Sequence, residues 1–148
     1  KEPIGVIGIK APDEFPLLGV IAPLASAIVM GNTVVMIAGK NALSAMDLVQ
    51  VIQNSDVPAG VINILTAENP NAIAKILAEH EDVDSVWYFG DAEGSRIVEA
   101  ASVSNMKRTW VNYGKELDWF NVLKQPSLSK KFLFEATQVK NIWVPYGA

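Results

Sequence analysis

The sequence predicts an α/β domain: a mainly parallel sheet of about five strands with helices on both faces, a strand count within the usual range. Three observations lead there. Short apolar runs alternate with segments of helical periodicity, the runs are rich in branched residues, and turn residues punctuate the joins. Half of the 148 residues are hydrophobic and 19% are charged, enough apolar surface for one domain core and too little charge for disorder.

Taken in order, Ile4 to Ile9 reads as a first strand that Pro12 ends. Leu17 to Met30 is apolar on nearly every side, which predicts a buried helix. Thr33 to Ala38 reads as a second strand. Ala45, Leu48, Val49 and Ile52 then recur at i, i+3, i+4 and i+7, an amphipathic helix stopped by Pro58 and Gly60. Val61 to Thr66 is a third strand. Asn69-Pro70 offers a capping side chain and then a proline suited to the first helical position. In that helix Ile73, Ile76, Leu77 and His80 mark the expected inward stripe. Asp84 to Phe89 is a fourth strand, followed by Gly90 and a helix with Gly94, Ile97, Val98 and Ala101 on one face. Arg108 to Val111 reads as a fifth strand. Beyond Glu116 the pattern weakens: Lys124 to Lys131 is polar around Pro126 and reads as a loop, and Ile142 to Val144 as a last strand. Residues 1–116 therefore form the expected domain, and 117–148 an irregular tail packed on it or on a partner.

Composition narrows the function classes. A net charge of -4 without a basic stripe gives no footprint for nucleic acid. The absence of cysteine removes disulfides, thiolate metal sites and thiol nucleophiles from these residues. Residues 15–39 carry no charge and are long enough to span a bilayer, but Pro23 and Gly31-Asn32-Thr33 interrupt them, so a buried helix and no membrane partner are expected. No signal-peptide pattern opens the sequence. It begins at Lys1 rather than methionine and enters an apolar run at once, which suggests the C-terminal part of a longer protein.

Few side chains suggest chemistry. His80 is the only histidine and reads as a structural residue at a helix end. Glu79, Glu81, Asp82 and Asp84 lack the ligand alternation and glycine of a calcium loop, so no metal is expected. Asp13 and Glu14 are adjacent carboxylates that need not converge on one substrate. The stretch from Gly90 to Ser95 is the most informative. A glycine after a strand, opening a helix, presents backbone amides to a phosphate, although Asp91 can equally cap that helix itself. The spacing is not the usual dinucleotide fingerprint.

Five stretches in the same order carry a resemblance: Glu2-Pro3-Ile4-Gly5-Val6, Ala11 to Pro16, Gly31-Asn32-Thr33-Val34-Val35, Pro58-Ala59-Gly60-Val61-Ile62-Asn63, and Val83-Asp84 through Gly90. Together they resemble the cofactor domain of the aldehyde dehydrogenases, over about Glu2 to Glu116. The tail, with Lys140-Asn141-Ile142-Trp143-Val144-Pro145, looks more like the end of the long family-16 members, whose chains carry a second, truncated dehydrogenase-like segment. The resemblance implies a Rossmann-like sheet, NAD(P) as the family's cofactor, dimers or tetramers, and a cytoplasmic location.

Departures from the family pattern point away from catalysis. The family usually has tryptophan and asparagine where this chain has Asp13 and Glu14, and that asparagine helps to stabilise the oxyanion. A carboxylate at Glu14 would oppose the developing charge. The ribose-binding lysine corresponds to Ile37, which has no hydrogen bond to offer, and the acidic residue three positions on corresponds to Lys40. Gly90 matches at the phosphate turn, but the usual serine is Asp91. The general-base glutamate corresponds to Asn112, which takes no proton. The family's cysteine nucleophile lies in a catalytic domain further along, and this sequence is expected to stop short of it.

The expectation is therefore a non-catalytic domain acting as a structural or protein-interaction module, with no cofactor held. Two alternatives remain: residual NAD-type nucleotide binding at Gly90, Asp91, Ile37 and Lys40, or a fragment of a dehydrogenase whose active site lies elsewhere in the parent chain. The expected partner is a catalytic dehydrogenase half or another copy of the chain. Trp119, Phe120, Trp143 and Tyr146 are candidates for the contact surface, since aromatics are enriched at contacts, with cover over the domain's own core as the alternative reading.

Overall fold

The computed structural model describes residues 1–121, 124–145 and 147. The elements run β1 (Glu2–Pro3), β2 (Val6–Lys10), α1 (Leu18–Val29), β3 (Thr33–Ile37), α2 (Leu43–Gln53), β4 (Ile62–Leu65), α3 (Pro70–Glu79), β5 (Ser85–Tyr88) and α4 (Ala92–Ala101). A short 3-10 turn (Ser102–Asn105), β6 (Arg108–Val111), α5 (Pro126–Glu135) and β7 (Thr137–Gln138) complete them. Five strands form one parallel sheet in the order β4-β3-β2-β5-β6. β1 and β7 form a separate antiparallel pair.

Side-chain alternation along the strands sorts the core into two layers. Ile7, Ile9, Val34, Met36, Trp87 and Phe89 face one side, where α1, α2 and α5 bring Leu24, Ala45 and Phe132. Ile37, Val86 and Tyr88 face the other, against Leu77 of α3 and Val98 of α4. Gly8 on the central strand lets α3 come close, since a Cβ there would stand 3.2 Å from a methyl of Leu77. The first strand begins later than Ile4 because Gly5 adopts φ +126°, which breaks the extended run, and the Asp84 carboxylate accepts from the Val6 amide at 2.8 Å.

Five of the sequence expectations need correcting. Lys124 to Lys131 is not all loop: α5 starts at Pro126, where a missing N–H removes no helical bond, and Leu128 and Phe132 share its inward side. Ile142 to Val144 is not a strand; the last strand is Thr137–Gln138, paired with Glu2–Pro3. α1 is not buried all round, for Leu17, Ile21 and Val29 along it are exposed. The inward stripe of α3 is Ala74, Leu77 and Ala78, with Ile76 and His80 turned to solvent, because small alanines rather than the larger residues meet the sheet. Trp119 is no surface contact: it lies in the core against Phe89. Asn69 does cap α3, accepting from the Ala72 amide, with Pro70 at its first position. No helix among the described residues is long and apolar enough to cross a membrane.

Phe132 is where α5 closes the sheet. It is fully buried, with ring centroids 4.8 Å from Trp110 and 5.9 Å from Trp87. Phe132→Ala should destabilise the fold by about 3–5 kcal/mol, read as a lower urea midpoint. A loss under about 1 kcal/mol would mean that α5 does not seal that layer.

Candidate functional site: the cleft at the switch point

From β2 the chain moves outward through β3 to β4, then crosses back to place β5 and β6 on the other side of β2. The reversal falls between β2 and β5, and the crevice outside the carboxyl ends of such strands is where open α/β sheets take ligands. A cleft of about 1000 Å³ occupies this place, walled by the ends of β2 and β5, the loops after them and the loop after β6.

Tyr88, the last residue of β5, points under the turn that follows. Its hydroxyl donates to Oδ1 of Asn71 at 2.6 Å and lies 3.4 Å from Oδ1 of Asp91. Burial first, then the Asp91 charge, pushes the hydroxyl well above the usual tyrosine range, so it stays protonated and donates. A Cβ at Gly94 would stand 1.8 Å from the Tyr88 oxygen, and one at Gly90 would stand 2.7 Å from it, so both glycines make room for this ring.

Asp91 is the N-cap of α4: its carboxylate accepts from the Gly94 amide at 2.7 Å. One of the amides that this helix N-terminus would offer to an anion, that of Gly94, is thus already bound to a carboxylate. Asn112 is committed as well, its Oδ1 accepting from the Gly90 amide at 3.0 Å and its Nδ2 donating to the Lys115 carbonyl at 3.0 Å. Gly114 donates to the Gly90 carbonyl at 2.7 Å, and Ser95 Oγ accepts from the Tyr113 amide at 3.1 Å. The turn after β5 and the loop after β6 are therefore one hydrogen-bonded unit.

On the opposite wall stands Lys10, only 3% exposed at the end of β2. Its ammonium contacts Asp13 at 3.0 Å and the Phe89 carbonyl at 3.3 Å, and lies 5.7 Å from the Tyr88 ring centre. Lys40 reaches the other Asp13 oxygen at 3.4 Å, and its amide donates to the first. Glu14 is exposed on the same wall. In all, Asp13, Glu14, Asp91, Glu116 and Asp118 line the cleft against Lys10, Lys40 and Lys115, which leaves the wall net acidic.

The structure brings Glu14, Lys40, Gly90, Asp91 and Asn112 to one cleft. Ile37 lies in the core beneath it, packed with the residues that face α3 and α4. Phe120 is exposed, in edge contact with Phe15 at 5.1 Å, and Trp143 is exposed as well; Tyr146 lies outside the described residues. Sequence reasoning missed Lys10, Tyr88 and Asn71. A lysine closing an otherwise apolar strand, three residues before an aspartate, was a readable signal for the first. Nothing in the sequence foretold the Tyr88–Asn71 bond, which spans 17 positions. Among the described residues no group of three or more metal-ligating side chains could hold a metal ion.

Asp13 gives the site a pH signature. Burial pushes its carboxyl upward, but the hydrogen bond and charge of Lys10, with the amide and charge of Lys40, outweigh that and hold it below the ordinary 3.8. The pairing then stabilises the fold above that ordinary value, and the contribution is lost as pH falls through the lower native midpoint. Lys10→Met should raise the Asp13 midpoint in a carboxyl NMR titration, and an unmoved midpoint would refute the pairing.

The model of the aldehyde dehydrogenase family matches residues 1–117. Human mitochondrial aldehyde dehydrogenase is 41% identical over 115 residues, covering 76% of this chain and 22% of that protein. An indole-3-acetaldehyde dehydrogenase crystal structure in its apo form superposes with a TM-score of 0.71 at 34% identity, over 76% of this chain and 26% of that one. Another of indole-3-acetaldehyde dehydrogenase, in complex with NAD+, gives 0.70 at 34% identity, over 74% and 22%. The chain thus spans less than a quarter of the length of the curated relatives it matches.

Proposed function

The chain belongs to the aldehyde dehydrogenase family, and from that premise we propose that this segment is a non-catalytic unit of its parent protein, a structural or protein-interaction module that holds no dinucleotide. The observation that carries the reading is Asp91: its carboxylate sits on the Gly94 amide, above the hydroxyl of Tyr88. The residues present do not fit a pyrophosphate there. A phosphate would have to share the helix start with the cap, and at ~4 Å from the carboxylate it would meet a repulsion of about 1 to 4 kcal/mol, according to solvent exposure. The acidic surplus of the wall acts in the same direction.

The hydrogen bonds of Asn112 support the same reading of the catalytic machinery. Where the family pattern has a general base, an amide here ties the Gly90 turn to the Lys115 carbonyl. Its role is to hold two loops together, and an amide accepts no proton at neutral pH. Glu14, placed where the family pattern has an oxyanion donor, brings a carboxylate instead. With these groups replaced, the segment contributes its packed sheet and its surface to the parent, whose partner is a catalytic dehydrogenase half or a second copy.

One observation favours a second reading, nucleotide binding without chemistry: the cleft at the switch point persists at about 1000 Å³. Calorimetric titration with NAD to about millimolar, a range that detects weak sites, separates the two. We expect no saturable heat from the folded chain, and weak binding to appear with Asp91→Ser. Saturable binding by the unsubstituted chain would replace the first reading with the second.

A further inference from the structure

Residues 15–39 carry no charge in a chain whose net charge is -4, and α1 runs through them. A helix apolar on every side belongs in a buried place. Here the sheet takes one side only, that of Val20, Leu24 and Ala27. On the other, Leu17, Ile21, Ala25 and Val29 follow one another at every fourth residue. All four are exposed, Val29 by 71%, Leu17 by 45% and Ile21 by 37%. Phe15, in edge contact with the exposed Phe120, carries the patch past the start of the helix. Scattered apolar side chains are ordinary on a surface, but an unbroken row of them marks a contact.

The spacing of the row says what fits it. Residues four apart form a ridge inclined to the helix axis, and two such ridges run side by side when their helices cross at about -50°, the commonest packing in globular proteins. A two-fold axis midway along the row, level with Pro23, places Leu17 of each copy opposite Val29 of the other and Ile21 opposite Ala25. Large meets small at the centre, where the methyl of Ala25 lets the two backbones approach. Pro23 is turned inward and buried, so nothing intrudes between the pairs. Charge points the same way. An acidic or basic partner would find no group on this face to pair with, whereas two copies meet along it without repulsion.

We propose that this face of α1 is a contact between two copies of the chain, packed helix on helix across a two-fold axis. The inference deepens the interaction-module reading, on which it rests, by naming a second copy as the partner and α1 as the surface. The patch holds fewer side chains than the ~20 a side of a standard interface, so the contact is weak and reversible. Each substitution in the row acts twice, because the axis repeats every pair.

Site-specific photocrosslinking of the full natural chain tests this, with benzoylphenylalanine in place of Ile21. Isotope-labelled and unlabelled protein are mixed at up to about 100 µM, a range that reaches weak contacts. We expect crosslinks between labelled and unlabelled copies, landing on the stretch that holds Ala25 and Val29. Adding Ala25→Lys should cut their yield at least about tenfold, because each copy then presses an ammonium into an apolar contact. Three results would overturn the proposal: crosslinks to another segment of the same copy, crosslinks between copies that avoid α1, or none. The interaction-module reading fails separately, since saturable NAD binding by the folded chain removes it whatever α1 does. If Ala25→Lys unfolds the protein, the position of the crosslinks in the chain that keeps Ala25 decides alone.

Discussion

A strand in a parallel sheet spends its backbone on its two neighbours and must have both faces covered by helices. β5 shows most plainly how that constraint organises this chain. All four of its residues are buried, and their alternation sends Val86 and Tyr88 toward α3 and α4, Trp87 toward α1 and α5. The aromatic layer follows from that choice. Trp87, Phe89, Trp110, Trp119 and Phe132 meet in edge-on or tilted contacts, and α5 lies over them. Without α5 the large apolar face of β5 and β6 would stand open, so the segment after residue 117 belongs to the core although the family match stops there.

The cleft is a consequence of the same topology rather than of any site residue. Reversal of strand order between β2 and β5 separates the loops at their carboxyl ends, whatever side chains those loops carry. Its chemistry comes from alternation. Tyr88 lies on the α3–α4 face, so its long ring runs out under the turn and meets Asn71, Gly90 and Gly94. Asp91 then stabilises α4 as a cap while placing negative charge where the fold would otherwise offer a free amide. Helix stability and anion binding compete for the Gly94 N–H, and here the side chain holds it.

The parallel sheet and the order of its elements were legible because branched apolar runs and helical stripes differ in period, and because Asn69-Pro70 and Gly90-Asp91 mark helix starts chemically. Pro126 misled for a physical reason: the same residue breaks a helix from within and opens one at its first position, and only the neighbours decide. The stripe of α3 misled because Ala74 and Ala78 carry little hydrophobic signal yet allow the closest approach to the sheet. In the site, Gly90 and Asp91 were legible as a turn from strand to helix with a capping side chain, and Asn112 only through the resemblance to the family. The Lys10–Asp13–Lys40 group was half visible, and the Tyr88–Asn71 bond not at all, because contacts across many positions leave no local trace.

Trp119 and Trp143 show why residue type alone could not separate core from surface. Both follow the last long strand, Trp119 beside Phe120 and Trp143 between Ile142 and Val144. Trp119 stands just past the loop that Asn112 and Gly114 fasten to the Gly90 turn, and that anchoring delivers its ring to Phe89 at 5.3 Å. Trp143 stands beyond β7, whose recorded ladder ends at Glu2–Gln138. Each indole's environment is thus set by the backbone that leads to it: a loop sewn into the sheet in one case, a ladder only two pairs long in the other. The contrast concerns position and not hydrophobicity, since the same side chain buries fully wherever the main chain can hold it against a partner.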